Sequence, residues 1–80
     1  MTENLINITV IWRCDEDDFL CTLLQYEDSD DQRQAMQQWS VQDYVEQAYD
    51  AEYPELPNPI AAGASYECIA IFEGLVRYIY

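Results

Sequence analysis

The N-terminal segment requires a β-sheet with one covered face. From Leu5 to Trp12, the side chains alternate between the two faces of an extended strand. One face would carry Ile6, Ile8, Val10 and Trp12, and the other would carry Asn7, Thr9, Ile11 and Arg13. Alternation of this kind among β-branched residues is typical of a half-buried strand. A second layer must cover the apolar face, and a chain of 80 residues allows one domain, residues 1–80, to supply it.

Three more segments are predicted as strands. Phe19–Tyr26 follows the first strand after the short charged connection Cys14–Asp18, which predicts an antiparallel hairpin. Near the C-terminus, Tyr66–Phe72 alternates again and Leu75–Tyr80 is the predicted last strand. Between these two segments, Glu73-Gly74 fits a two-residue turn because glycine tolerates positive φ.

Two serines predict helix starts in the middle of the chain. Ser29 precedes Gln32, and Ser40 precedes Asp43, at the spacing of a capping box. Acidic residues around Asp30 also suit the positive end of a helix dipole. We therefore predict one helix that begins near Asp30 and another that begins after Ser40.

The apolar pattern between residues 30 and 53 favours two helices over one. The apolar residues before Ser40 are Ala35, Met36 and Trp39, and those after it are Val41, Tyr44, Val45, Ala48 and Tyr49. At about 100° per residue, the two sets point roughly 160° apart. A break at Ser40 resolves this conflict, and Pro54 ends the second helix nearby. One helix kinked at Ser40 is the alternative.

These elements give the order ββααββ and an α+β fold. Pro54, Pro57 and Pro59 predict that residues 54–64 form a stiff linker over the surface. The simplest packing is one antiparallel sheet with the helices on one face; the strand order, and the choice between one sheet and two hairpins, stay open. The aromatic residues expected in the core are Trp12, Trp39, Tyr44 and Tyr49. The tyrosines near element ends are also expected in the core or packed partly against it, and a position at the rim of a binding interface is the alternative. These are Tyr26, Tyr53, Tyr78 and Tyr80.

The charge balance excludes several classes of partner. Sixteen acids face three arginines, with no lysine or histidine, for a net charge of −13. Direct binding to nucleic acid or to an anionic membrane needs cations that this chain lacks. No segment is long enough to span a bilayer, and no signal peptide is visible. Cys14, Cys21 and Cys68 form an odd set without Cys-x-x-Cys spacing, which predicts reduced thiols in a cytoplasmic protein.

The residue types also argue against catalysis and against cofactors. Without histidine, the usual proton shuttle at neutral pH is absent, and carboxylates in loops stay ionised in water. Asp15–Asp18 and Asp28–Asp31 resemble calcium loops superficially, but both lack the glycine and the glutamate that such loops need. Zinc ligands at workable spacing and a glycine-rich phosphate loop are also missing. We therefore predict no enzyme, no metal and no cofactor.

The acidic residues form three candidate partner-binding groups. The tip cluster is Asp15, Glu16, Asp17 and Asp18; the entry cluster is Glu27, Asp28, Asp30 and Asp31; the helix stripe is Asp43, Glu46 and Asp50, continuing toward Glu52 and Glu55. The stripe places a carboxylate about every 5 Å, and phosphates along one nucleic-acid strand advance by about 3.4 Å. A basic groove built for a nucleic-acid backbone can therefore accept such a surface, which predicts a basic nucleic-acid-binding protein or ribonucleoprotein as partner.

The abundance of acids has two simpler causes that stay open. Acids on loops and helix exteriors often form a merely solvated surface, and a high-salt cytoplasm also selects acids over lysine. A merely solvated surface normally mixes the two signs of charge, whereas this chain contains no lysine. The charge pattern therefore favours a basic partner over a merely solvated surface, and the large aromatic and isoleucine content does not especially indicate a high-salt cytoplasm.

The chain resembles the small anti-defence proteins of phages and mobile elements, which include anti-CRISPR proteins and anti-restriction DNA mimics. The resemblance covers size, composition, the aromatic core and the acidic runs Asp15–Asp18 and Glu27–Asp31; it includes no family motif. It implies an inhibitor, working in the host cytoplasm, that occupies the nucleic-acid or guide-binding surface of a defence complex.

Two other functions, each from a different class of protein, are alternatives to an inhibitor of this kind. The first is a structural or regulatory adaptor, or a homodimer, that uses exposed aromatics and a sheet edge such as Leu75–Tyr80. The second is an acidic antitoxin that neutralises a basic toxin.

Overall fold

The protein is an α+β domain with a three-stranded antiparallel sheet and two helices. The computed structural model describes residues 4–74. The elements are β1 Leu5–Cys14, β2 Leu20–Glu27, α1 Asp30–Gln37, α2 Val41–Glu52 and β3 Tyr66–Glu73. The strands form one sheet in the order β2-β1-β3, with antiparallel neighbours. The order in the described residues is thus ββααβ instead of the predicted ββααββ, and the predicted strand Leu75–Tyr80 lies outside those residues.

The central strand β1 confirms the predicted alternation. Its predicted inner face is buried in the core, namely Ile6, Ile8, Val10 and Trp12. The strand runs two residues beyond the predicted end at Trp12, because Cys14 still pairs with Tyr66 of β3. Pairing with a distant strand determines this boundary, so it was not visible in the local pattern.

The helices begin at the predicted serines and are separate. At α1, the Ser29 hydroxyl accepts a hydrogen bond of 3.1 Å from the Gln32 amide. At α2, the full capping box forms: the Asp43 amide donates to the Ser40 hydroxyl and the Ser40 amide donates to the Asp43 carboxylate. The prediction of two helices is confirmed, and the single kinked helix is excluded.

The second helix returns along β2 toward the hairpin. At its start, the Trp39 ring lies 5.5 Å from Tyr26 of β2 and 5.1 Å from Tyr44 of α2, between ring centroids. At its end, the Thr22 hydroxyl of β2 donates a hydrogen bond of 2.9 Å to the Glu52 carboxylate. Because β2 runs from Thr22 toward Tyr26, α2 is antiparallel to it. The last turn of α2 and the β1–β2 hairpin tip therefore lie at the same end of the molecule.

The proline-rich segment is more than a surface linker, which corrects the prediction. Ile60 is 1% exposed and belongs to the core. The Asn58 side chain anchors this stretch: its amide nitrogen donates to the Glu46 carbonyl at 2.9 Å, and its oxygen accepts from the Ile60 amide at 3.0 Å. The segment thus docks on α2 and closes the core.

The aromatic residues named in the prediction lie in or against the core where the structure describes them, except Tyr53. Trp12 is buried, and those that pack half-buried against the core are Tyr26, Trp39, Tyr44 and Tyr49. Tyr53 is 39% exposed, and Tyr78 and Tyr80 lie outside the described residues. Among residues 4–74, neither helix has the length and apolar character needed to cross a membrane.

Candidate functional site

The hairpin tip presents its acids to solvent on an anchored loop. All four members of the tip cluster are exposed. Asp15 has a left-handed backbone (φ 52°), which aspartate tolerates better than most residues. Its amide donates to the Ser65 carbonyl at 3.0 Å, and its carboxylate accepts from the Ser65 hydroxyl at 2.8 Å. Asp15 therefore has a structural role, and Glu16, Asp17 and Asp18 are the tip acids that a partner can use.

A groove lies between the tip, the last turn of α2 and the proline-rich segment. Its volume is about 650 Å³, and we call it the tip groove. Three tip acids line it, Asp15, Asp17 and Asp18, together with Trp12, Cys14, Leu20, Tyr49, Tyr53, Leu56 and Pro59. The ring centroids of Trp12 and Tyr49 are 6.1 Å apart, and those of Tyr49 and Tyr53 are 4.9 Å apart. The groove thus combines an aromatic and apolar wall with carboxylates.

Two linked hydrogen bonds, one buried and one partly buried, hold this wall in place. The Trp12 indole nitrogen donates to the Thr22 hydroxyl at 2.9 Å, and that hydroxyl donates to the Glu52 carboxylate, also at 2.9 Å. Thr22 is buried, so both bonds satisfy polar groups that would otherwise be costly in the core. The bonds join β1, β2 and the end of α2 beneath the groove.

The entry cluster is only partly available to a partner. The Arg33 guanidinium contacts both oxygens of Asp28, at 2.8 Å and 3.2 Å, and also lies 3.3 Å from Glu73. The side-chain hydrogen bond from Arg33 lowers the pKa of Asp28. Asp28 is therefore engaged within the chain, whereas Glu27, Asp30 and Asp31 are exposed.

The helix stripe is less exposed than its spacing suggested. Asp43 and Glu46 are half-buried, and Asp50 is exposed. Asp43 uses a carboxylate oxygen in the capping box, and Asp50 accepts from the Asn58 side chain at 3.1 Å. Docking of Asn58 on α2, which the sequence did not reveal, accounts for the bond to Asp50, whereas the bond of Asp43 is the cap that the sequence predicted. The stripe is therefore not a free row of carboxylates.

The structure brings some of the acidic groups together and separates others. β2 lies between the tip and entry clusters, and its eight residues span roughly 25 Å at about 3.3 Å each. Asp50 and Glu52 are in the last turns of α2, and Glu55 lies in the turn from Tyr53 to Leu56. These three acids join the tip cluster at one end of the molecule, which we call the acidic end. The entry cluster occupies the other end.

The arginines of the described region do not neutralise the tip. Arg13 pairs with Glu67 at 3.5 Å, and its guanidinium lies 4.7 Å from the centroid of the Phe19 ring. Arg33 is held by Asp28 and Glu73. Within residues 4–74, no salt bridge reaches the tip cluster, so its negative charge is uncompensated there.

The negative charge of the tip acids affects the pKa of the Cys14 thiol. Burial raises the pKa of Cys14, and the negative charges of Asp15 and Asp17 raise it further. The thiol therefore stays protonated at neutral pH and adds an apolar surface to the tip groove. Across the part of the chain that the structure describes, no group of three or more cysteine, aspartate or glutamate side chains has a geometry that could hold a metal ion.

The Asp28–Arg33 pair makes a pH-dependent contribution that Arg33→Gln is expected to remove. Because the pKa of Asp28 is lowered in the folded state, the pair stabilises the fold fully above the pKa of an unfolded aspartate. This stabilisation is lost as the pH falls through the folded-state pKa. In an NMR titration of the carboxyl carbons, Asp28 should titrate at a lower pH in the wild type than in Arg33→Gln.

Arg13→Gln is the matched control for this titration, since it removes an arginine that does not contact Asp28. In that variant the midpoint of Asp28 should equal that of the wild type. Equal midpoints in the wild type and in Arg33→Gln would contradict the assignment.

Comparison of the chain with protein-family models, with curated proteins and with solved structures finds no match.

Proposed function

We propose that this chain is a binding protein, not an enzyme, and that it inhibits a nucleic-acid-binding protein or ribonucleoprotein complex by occupying its basic surface. The observation that carries the proposal is the acidic end, where the exposed carboxylates of the tip cluster share one end of the molecule with Asp50, Glu52 and Glu55. A concentrated negative surface of this kind attracts a basic groove and accelerates association with it.

The acidic end is the proposed contact surface because no salt bridge within residues 4–74 compensates the charge of its tip cluster. At physiological salt, exposed charges act over a screening length of about 8 Å, so the entry cluster at the opposite end adds only a general attraction. The resemblance in size and composition to anti-CRISPR and anti-restriction proteins supports a defence complex in the host cytoplasm as the target. A position in the cytoplasm is also consistent with the three free cysteines.

A competition experiment tests the proposal. A labelled DNA duplex or guide RNA is bound to each member of a panel of restriction-type and RNA-guided defence proteins, and this chain is added at 50 mM and 200 mM salt. We expect displacement of the nucleic acid from at least one member, with weaker displacement at the higher salt because screening reduces the attraction. Displacement that is absent across the panel, or equal at both salt concentrations, would overturn the proposal.

The sheet face opposite the helices favours a second candidate function, a homodimeric interaction module. Leu5, Leu23 and Phe72 are exposed large apolar residues. Leu23 and Phe72 flank Thr9 in register across the sheet, so they share one face. Burying this face against a second copy would remove apolar surface from water and keep the acidic end exposed.

Sedimentation separates the two candidates. Association through the apolar face should persist at high salt and should be weakened by Leu23→Lys, whereas duplex displacement by the acidic end should be weakened by salt. A sedimenting species of monomer mass at all concentrations and both salt conditions would exclude the dimer.

A further inference from the structure

We propose that the tip groove binds an arginine side chain from a basic segment of the partner protein, with the guanidinium stacked on Tyr53 and paired with Asp17 or Asp18. This inference rests on the proposed function and names the chemistry of its contact. The observation that carries it is the tip groove, in which an aromatic wall and three carboxylates surround one opening.

The shape of the groove suits an inserted side chain. Its volume of about 650 Å³ lies within the range of sites that enclose small ligands, about 300–1,000 Å³. Tyr53 is 39% exposed and stacks near Tyr49, with Trp12 buried behind. An exposed ring supported by two further rings is a stable surface against which a planar group can pack.

The charge of the groove selects a cation. Asp15, Asp17 and Asp18 line it, and no arginine of the described region does. A cation that enters the groove gains both the carboxylates and the face of an aromatic ring, which attracts positive charge. An anionic occupant would be repelled by the carboxylates, and a neutral one would gain neither the charge attraction nor the cation–π contact.

Arginine fits this combination better than lysine. A guanidinium is planar and weakly hydrated, so it can stack on a ring while its edge donates two hydrogen bonds to a carboxylate. A looser version of this arrangement, with a single contact to the carboxylate, occurs in the protein's own fold. Arg13 lies 4.7 Å from the Phe19 ring centroid and 3.5 Å from the Glu67 carboxylate.

Short peptides test the groove directly. The probes are Arg-Gly-Ser-Arg-Gly-Ser-Arg, the same sequence with lysine and the same sequence with citrulline, which keeps the shape of arginine without its charge. Binding is followed by ¹H–¹⁵N chemical shifts. We expect the arginine peptide to shift the amides of Asp17, Tyr53 and Leu56 and to bind about fivefold to tenfold more tightly than the lysine peptide. The citrulline peptide should not bind measurably.

Two variants of Tyr53 separate stacking from simple attraction. Tyr53→Leu keeps apolar bulk but removes the ring, and it should abolish the preference for arginine over lysine. Tyr53→Phe keeps the ring and should retain the preference. Equal affinities of the arginine and lysine peptides for the wild type would overturn the groove proposal, as would shift changes confined to residues outside the groove.

The competition experiment distinguishes failure of the groove from failure of the proposed function. Tyr53→Leu should displace nucleic acid about fivefold to tenfold less effectively than Tyr53→Phe. If both variants compete as well as the wild type, and salt still weakens the competition, the groove proposal fails and the proposed function stands. If the wild type does not compete but prefers the arginine peptide in a Tyr53-dependent manner, the proposed function fails and the groove stands.

Discussion

Reversing three charges at the hairpin tip, Glu16→Lys with Asp17→Lys and Asp18→Lys, is expected to weaken binding to the basic partner about 100-fold. Charge complementarity of this kind raises association rates by about 10- to 1,000-fold, so most of the loss should appear in the association rate. Asp15 is left unchanged because its hydrogen bonds to Ser65 and its backbone conformation hold the loop. Surface plasmon resonance with a partner identified by competition measures both rates.

The matched control reverses three exposed acids at the opposite end, Glu27, Asp30 and Asp31. It changes the net charge by the same amount but leaves the acidic end intact, so its association rate should fall far less than that of the tip variant. Circular dichroism should show that both variants fold. Equal losses in the two variants would mean that net charge, and not its placement at the tip, determines binding.

Trp12→Ala is expected to cost about 3–5 kcal/mol of unfolding free energy. A chain of this length has a total stability of roughly 4–12 kcal/mol, so the variant should lose at least about a quarter of its stability. Trp12 is 1% exposed, packs against Tyr49 and donates to Thr22. The substitution therefore leaves a cavity and removes the hydrogen bond that joins the core to the wall of the tip groove.

Urea unfolding followed by circular dichroism measures this loss. Leu56→Ala is the control, because Leu56 lines the same groove but is exposed, and its loss should be below about 1 kcal/mol. Trp12→Phe should lie between the two. A loss for Trp12→Ala that is no larger than that for Leu56→Ala would show that the core is not built around this side chain.

Much of the secondary structure could be predicted from the sequence because it follows short-range rules. The alternation in β1 depends on which neighbouring residues are apolar, and the two helix starts depend on the hydrogen bonds that Ser29 and Ser40 form three residues ahead. Strand ends were less predictable, since β1 continues to Cys14 only because β3 pairs with it.

The tip groove could not be predicted because it depends on long-range packing. It requires α2 to return along β2, and it requires the proline-rich segment to dock on α2 through Asn58 and Ile60. Ile60 stands among prolines and alanines, where an isolated apolar residue carries little periodic signal. An isoleucine in such a setting is a usable sign that the segment contacts the core.

For the acidic residues, too, sequence patterns could not show which single side chains are engaged within the fold. Spacing predicted that Asp43 caps α2, and the same residue was also assigned to the partner-binding stripe; one of its oxygens forms the cap. The pairing of Asp28 with Arg33 could not be predicted from helical spacing, because Asp28 precedes the helix and reaches into its first turn. Local bonds of this kind determine which carboxylates stay free for a partner.

The central claim is that a basic partner contacts the acidic end, and an NMR footprint of the complex tests it most directly. Amide signals of the ¹⁵N-labelled chain are compared before and after addition of a partner found by competition. We expect the largest changes at residues 15–20 and 49–56, which hold the tip cluster and the groove wall. A footprint on Leu5, Leu23 and Phe72, with the hairpin tip unchanged, would contradict the claim.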